Sequence, residues 1–327
     1  MLSLAAREIL DLVRDELVLV EREISSQSVA PVDAITTIGQ YIQEAGGKRL
    51  RPMLLLLCAK AAGGCGGSAI RLAAVVEMIH AATLVHDDVI DDASTRRGRP
   101  STNSRWGNHT SVLAGDWLYM QAFQVALRER NFHILDILIG VTQMMVEGEL
   151  VQLQRLGSIG VTEADYMELV DRKTAALFSA CARLGAAIGG GTRAVEDAVG
   201  RYAWNVGMAF QLIDDVLDFT SHENVLGKPV GNDLWEGKVT LPLIYALENA
   251  DAGERALVET VLADRSYDRA PFAEILDFVR RRGGLDRALE RAAAFTDCAR
   301  STLAALPDSA YQRALYTITE LVTDRNH

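Results

Sequence analysis

An all-α fold is what this sequence predicts, and three observations carry that expectation. No proline occurs between Pro100 and Pro229. The stretch between them is rich in Ala, Leu, Val, Met, Gln and Glu, residues that lose little on entering a helix, and nothing interrupts it. Apolar residues recur at three- and four-residue spacings, as in Ile134, Ile137, Leu138, Val141, Met145 and Leu150, which puts them on one helix face. Alternation with period two, the mark of a strand, persists nowhere for long.

Taken in order, the opening MLSLAAREILDLVRDEL sets acids and arginines among apolar residues, an amphipathic pattern and not that of a secretory signal. Pro52 opens the next helix from the loop before it. The apolar run Ile70–Val85 is a buried helix, and another begins near Ser111 with Trp117, Tyr119, Met120 and Phe123. Breaks are expected at Gly63–Gly67, Arg97–Thr102, Gly157–Gly160, Gly189–Gly191 and Gly227–Asn232. The helices between them should run roughly 12 to 28 residues, joined by short polar turns. Residues 250 to 327 are charged and amphipathic and should complete the bundle. No composition shift, repeat or low-complexity tract marks a boundary, so a single domain over residues 1–327 is expected.

Hydrophobic residues make up 49% and charged residues 24% of the 327 residues, enough for a core and an internal cavity. The net charge of −11 argues against a nucleic-acid surface. An anionic ligand would have to be met by a local basic cluster or by metal ions. Cys58, Cys65, Cys181 and Cys298 form no CxxC pair, the usage of a reducing compartment, and a cytoplasmic location is expected. Purely apolar stretches such as Met53–Ala59 are too short to span a bilayer. Peripheral membrane contact stays open.

The chemistry is concentrated in two copies of one pattern. Asp87, Asp88 and Asp91 form DDxxD within TLVHDDVIDDAS, and Asp214, Asp215 and Asp218 form another within MAFQLIDDVLDFTS. Each ends an apolar helix. Positions i and i+4 share a helix face, so the first and last aspartates of each motif should project together. Like charges so placed destabilise a bare helix, and a divalent cation removes the conflict. Carboxylates that fill only part of the shell suit Mg²⁺, which keeps waters and takes substrate phosphates. One such motif arises by chance in about one chain in eight, so alone it reads equally well as a solvated helix end. Two of them, each closing an apolar helix, do not.

Basic constellations accompany them. Gly46-Gly47-Lys48-Arg49-Leu50-Arg51-Pro52 sets a glycine turn before three cations, a geometry suited to phosphate oxygens. Arg96-Arg97-Gly98 follows the first motif closely. Lys228 and Lys238 bracket GKPVGNDLWEGKV after the second, and Lys173-Thr174 begins another helical segment. Each alone reads as an exposed loop or lysine. His80 lies two turns before Asp87, where a core or rim role competes with ligand contact, and His86 reads as structural. Gln211, one turn before Asp214, reaches either metal-bound water or phosphate, or caps a buried polar network.

These residues resemble the trans-isoprenyl diphosphate synthases, the polyprenyl synthetase family, and within it the octaprenyl type. The resemblance rests on GGKRLRP, EMIHAATLVHDDVIDDASTRRGRP, KTAALF, FQLIDDVLDF and GKPVGNDLWEGKVTLPLI, in order over residues 46 to 245. It implies long antiparallel helices around a deep central cavity, of the isoprenoid synthase type I kind, in a homodimer. It implies joining of isopentenyl diphosphate to an allylic diphosphate by ionisation, condensation and elimination, with three Mg²⁺ ions. By resemblance Asp87 and Asp91 hold two ions and Asp214 the third, with Asp88, Asp215 and Asp218 in support. Arg96, Lys173, Gln211, Lys228 and Lys238 match positions that grip the allylic diphosphate. Lys48, Arg51, His80 and Arg97 match those that bind isopentenyl diphosphate, and Thr174 neighbours the reacting carbons.

In this family a bulky aromatic one turn before the first motif stops the product early. Here Ala82 and Thr83 are small, and Ile79, Val75 and Val76 beyond them are not aromatic. A product of roughly six to ten isoprene units follows, since one extended unit advances about one helical turn. The helix bearing Trp117, Tyr119, Met120 and Phe123 either supplies the floor or packs in the core. The rival readings are a short-chain synthase, a class I terpene cyclase, a regulatory partner subunit and a helical scaffold. Two complete motifs and a second diphosphate site argue against the last three.

Overall fold

The computed structural model describes residues 6–220 and 230–323, and among them the chain is helical apart from one two-residue hairpin. The helices are α1 Ala6–Asp11, α2 Arg14–Gln27, α3 Asp33–Glu44, α4 Leu50–Ala62, α5 Gly67–Ile90, α6 Thr102–Trp106, α7 Asn108–Ala126 and α8 Phe132–Arg155. There follow α9 Glu163–Val170, α10 Ala176–Ile188, α11 Arg193–Thr220, α12 Asn232–Trp235, α13 Leu241–Leu247, α14 Ala252–Asp264, α15 Phe272–Arg281, α16 Gly284–Thr302 and α17 Ala310–Thr323. The breaks expected at Gly63, Arg97, Gly157 and Gly189 each fall between helices. Of the fifth, residues 227–229 lie outside the described residues.

Several expectations need correction. Six helices, as described, fall short of the expected range: α1, α6, α9, α12, α13 and α15. The chain also turns between α7 and α8 with no glycine or proline, through Arg130 in a left-handed conformation (φ 51°). Leu150, placed by its spacing on the buried face of α8, is exposed at 57%, whereas Ile134, Leu138 and Val141 are buried. Met120 is likewise exposed and Tyr119 buried, so the aromatic group near Ser111 splits between two faces. Finally, α5 is long and apolar enough to cross a membrane by length and composition, although much of it is buried in the protein.

The chain divides into two compact units. The first comprises Met1–Thr142, Phe178–Ala203 and Thr302–Ile318, and the second Gln143–Leu177, Trp204–Ser301 and Thr319–His327. In the first, α4 and α5 are buried nearly all round, with Leu54, Leu55, Leu56 and Leu57 at 1% exposure or less. Such uniform burial explains why α4 carries no polar stripe. α10 approaches α4 at Gly185 and Gly189, where a Cβ would run into the carbonyl oxygens of Leu55 and Ala59. The second unit has its own core of Tyr166, Leu212, Phe219, Leu243, Val261 and Phe278, to which the C-terminal helices α14 and α15 contribute. Asp251 and Glu254 cap the start of α14 reciprocally, and Glu254 also receives the Arg282 guanidinium at 2.7 Å.

Candidate active site

In the first unit α5 carries Asp87 and Asp88 in its last turn, and Asp91 is the residue that closes it, its N–H bonded to Asp87 O at 2.8 Å. Asp88 is buried, and Arg96 Nε donates to its Oδ1 at 2.5 Å. Burial of a carboxylate is tolerable here because a cation and its N–H groups meet it. Arg96 comes from the hairpin pairing Thr95 with Pro100 and Arg96 with Arg99. Its two-residue loop, Arg97-Gly98, has φ of 53° and 72°, the doubly left-handed turn that suits tight hairpins. Tyr41 Oη donates to Pro100 O at 2.7 Å and holds the hairpin from α3.

That hairpin brings the RRG segment to the GGKRLRP loop. A Cβ on Gly47 would lie 3.1 Å from an Arg97 nitrogen and 3.3 Å from an Arg49 nitrogen, so glycine leaves room for both guanidiniums. Arg51 stacks its guanidinium 5.1 Å from the Phe178 ring, and its buried Nε has no hydrogen-bond partner among the described residues. Burial lowers its pKa, against the opposing pull of Glu77. His80 feels burial first and then Arg51, Arg97, Arg96 and Arg49, which together hold its imidazole pKa well below the ordinary value. Arg49, His80, Arg97 and Glu77 line one cavity with Ala81 and Leu118. A concentration of cations with an unmet buried donor suits an anion. Lys48 is exposed beside this group. One α5 turn away, Ala82 is wholly buried and Thr83 half-buried, its hydroxyl donating to His80 O at 2.7 Å.

In the second unit the second motif sits in the last two turns of α11. Asp214 is exposed, while Asp215 and Asp218 are buried. Asp218 accepts the backbone N–H groups of Asn232 at 3.2 Å and Asp233 at 3.3 Å and so caps α12. Asp214 and Asp218, one turn apart on α11, thus differ in surroundings: Asp214 is exposed, while Asp218 meets the N–H groups that open α12. Asp215 accepts from Tyr166 Oη at 2.5 Å and from Gln211 Nε2 at 2.8 Å, and Thr174 Oγ1 donates to Gln211 Oε1 at 3.0 Å. Burial, then Asp233, raise the pKa of Asp215 well above the carboxylate range and that of Asp218 to about 8.

Lys173 and Thr174 lie in a π-turn, Asp171–Ala175, where the Ala176 N–H reaches Asp171 O five residues back. They do not open a regular α-helix as expected. Such turns re-aim side chains and gather at functional sites. Lys173 Nζ donates to Glu149 Oε2 at 2.5 Å and Gln152 Oε1 at 3.3 Å, and Lys238 Nζ to Glu236 Oε2 at 2.6 Å. Lys173, Thr174, Gln211, Asp215 and Lys238 line a cavity of about 820 Å³, counting its open mouth. Lys228 lies outside the described residues.

Among the described residues no three carboxylate, histidine or cysteine side chains gather closely enough to make a metal site alone. Sequence reasoning passed over Tyr166, Glu77, Glu21, Asp233 and Glu149. Glu77 had a usable signal, since a lone carboxylate inside the apolar run of α5 requires a cation. Tyr166 had none.

Comparison with known proteins supplies the remaining findings. A family model described as Polyprenyl synthetase matches residues 32–279. The chain is 38% identical over 320 residues to the octaprenyl diphosphate synthase of Haemophilus influenzae, covering 98% of this chain and 97% of that one. It is also 38% identical over 320 residues to the geranyl-diphosphate-specific all-trans-nonaprenyl-diphosphate synthase of Rhodobacter capsulatus, covering 98% of each. Among solved structures, a polyprenyl synthase from Caulobacter crescentus complexed with calcium and isoprenyl diphosphate superposes with a TM-score of 0.94 at 34% identity, covering 100% of both chains.

Proposed function

This chain belongs to the polyprenyl synthetase family and is a prenyltransferase, an all-trans polyprenyl diphosphate synthase of medium chain length, and we propose that its main product carries about eight isoprene units. The observation that carries the two-substrate reading is the pairing of unlike sites. One unit holds a cation cluster around the unpartnered Nε of Arg51, and the other a cluster of buried carboxylates around Asp215. The first is suited to the diphosphate whose C–O bond stays intact, isopentenyl diphosphate, through Lys48, Arg51, His80 and Arg97.

The allylic diphosphate is assigned to Arg96, Lys173, Gln211, Lys228 and Lys238, with Asp87, Asp91 and Asp214 as ligands of three Mg²⁺ ions. The residues present fit such ions: Asp215 is buried beside Asp233 and Asp214, which raise its pKa, and Asp214 is exposed for coordination. Bound Mg²⁺ supplies the positive charge that makes the allylic diphosphate a good leaving group. Lys173, held by Glu149 and Gln152, meets charge that grows as the C–O bond breaks. The double bond of isopentenyl diphosphate attacks the cation, and the departed diphosphate takes the proton, so no protein base is required. Asp88, Asp215 and Asp218 set the positions of the ligands beside them, and Thr174 lies near the reacting carbons.

We assign the protein to the cytoplasm as a homodimer of single-domain subunits, with peripheral membrane contact for product release. The free cysteines support the first. For the second, Phe132, Ile139, Val146 and Leu153 recur every seven residues along α8 and are exposed, with Leu150 beside them. An exposed apolar stripe of this kind favours a second copy. Incubating the enzyme with Mg²⁺, isopentenyl diphosphate and farnesyl diphosphate should yield a ladder ending near about eight units. No elongation would overturn the proposed substrates. Ala82→Phe should shorten that ladder; an unchanged one would remove Ala82 and Thr83 from chain-length control.

A further inference from the structure

Arg49 lies within the GGKRLRP loop and is not among the residues assigned to a substrate. Its Nε and a terminal nitrogen donate to the two oxygens of Glu21 on α2, the second at 3.2 Å, and its other terminal nitrogen donates to Glu77 Oε1 at 2.7 Å. Both ends of the guanidinium are thus met by carboxylates, in contrast to the unpartnered Nε of Arg51. Arg49 is also left-handed (φ 48°), an unfavourable backbone for a residue with a Cβ, at the point where the loop turns into α4. Met53 N–H bonds to Arg49 O at 3.0 Å, so that turn starts the helix that carries Arg51.

Glu21 is itself held: Gln43 Nε2 donates to its carbonyl oxygen at 3.0 Å and to its carboxylate at 3.3 Å. Glu77 is buried in α5, three residues before His80, and acts electrostatically on Arg49, Arg51 and Arg97. We propose that Arg49, bracketed by Glu21 and Glu77, is a positioning residue for isopentenyl diphosphate, fixing the left-handed turn that sets Lys48 and Arg51 on the cation cluster. Glu77 also offsets repulsion among the arginines until the diphosphate replaces it in that role. The inference rests on the assignment of Lys48, Arg51, His80 and Arg97 to this substrate.

The sign of one effect separates positioning from bulk charge. Glu21 and Glu77 are anions beside an anion-binding site. If they acted by charge alone, neutralising them would tighten the diphosphate and lower KM. If they hold Arg49 in place, neutralising them loosens the turn and raises KM. The experiment is steady-state kinetics of the full-length enzyme with isopentenyl diphosphate varied at saturating farnesyl diphosphate and Mg²⁺. Glu21→Gln, at a partly exposed site, and Glu77→Gln should each raise KM for isopentenyl diphosphate by about fivefold to tenfold, with kcat and KM for farnesyl diphosphate within about twofold. Arg49→Met should match them, and adding Glu77→Gln to it should cost little more, since the two act as one unit. Calorimetric binding of inorganic pyrophosphate to the metal-free enzyme should weaken by the same factor. An unchanged or lowered KM in both Gln variants overturns the proposal. Lys48→Ala and Arg51→Met are the control. If they too leave KM for isopentenyl diphosphate unmoved, the site assignment beneath the proposal has failed; if they raise it alone, only the role of Arg49 has.

Discussion

The two aspartate motifs are the same five-residue pattern, yet the protein treats them in opposite ways. In the first unit the buried Asp88 is met by a cation, Arg96, at 2.5 Å. In the second the buried Asp215 and Asp218 are met by neutral donors: Tyr166, Gln211 and two backbone N–H groups. The first motif's buried carboxylate is met by an arginine within the unit, whereas the second motif's buried carboxylates are met, among the described residues, by neutral donors. If the aspartates bind ions as proposed, their spacing fixes where an ion sits, and the surroundings decide how much the unit depends on it.

The largest effect would come from removing a proposed ligand from either motif. Asp87→Ala and Asp214→Ala should each lower kcat/KM by at least about 10³-fold, as losing charge stabilisation at a leaving group does. A loss confined to one motif would break the symmetry assumed for them, and single-turnover assays with farnesyl diphosphate would read it. Next comes Arg96→Met, which takes from the buried Asp88 carboxylate the guanidinium that meets it. It should destabilise the metal-free protein by about 3 kcal/mol, visible as a lowered Tm. Tyr166→Phe removes only a neutral donor and should cost about 1 kcal/mol in the same assay. Its larger signature is in metal dependence: the Mg²⁺ concentration for half-maximal binding of a non-hydrolysable allylic diphosphate analogue should rise about tenfold. Equal Tm losses for Arg96→Met and Tyr166→Phe would show that the two motifs are not balanced differently.

The same contrast marks how far the sequence could be read. The helical class followed from the proline-free span and the apolar spacing, because both act locally. So did the breaks at glycines. The turn at Arg130 carried no sign, since a left-handed arginine there is held by tertiary context. The π-turn at Asp171–Ala175 is equally silent, because one extra residue per turn does not alter composition. Within the candidate site, the aspartates and cations were legible as residue types in a pattern. Their partners were not. Tyr166 and Asp215 are 49 residues apart, and Arg49 and Glu77 are 28 apart, so only folding brings them together. The burial of Asp218 was hidden for the same reason, since it caps the helix opened by Asn232 and Asp233. Leu150 and Met120 show the converse error, in which apolar spacing reports a face without saying whether solvent, core or another chain covers it.

The smallest effect, and the most specific to the second motif, is a pH dependence of the metal-free protein. Burial and the neighbouring Asp233 raise Asp218 to about 8, so the folded state holds a proton there that the unfolded chain releases near its ordinary carboxylate value. Between those two values the folded state binds more protons than the unfolded one, and stability must fall as pH rises. The contribution is fully present below the unfolded pKa and is lost as pH passes through 8. From about pH 7 to about pH 8.5, with chelator present, the loss should be roughly 1 kcal/mol, or about 1.5 °C in Tm. Asp218→Asn should flatten that slope, because the amide has no proton to lose, while Asp88→Asn in the first unit should leave it in place. Saturating Mg²⁺ and diphosphate should abolish it as well, since the bound cation favours the ionised carboxylates. A metal-free Tm that rises or stays level over this range would mean that the second cluster is already balanced without an ion, and the distinction between the motifs would fall with it.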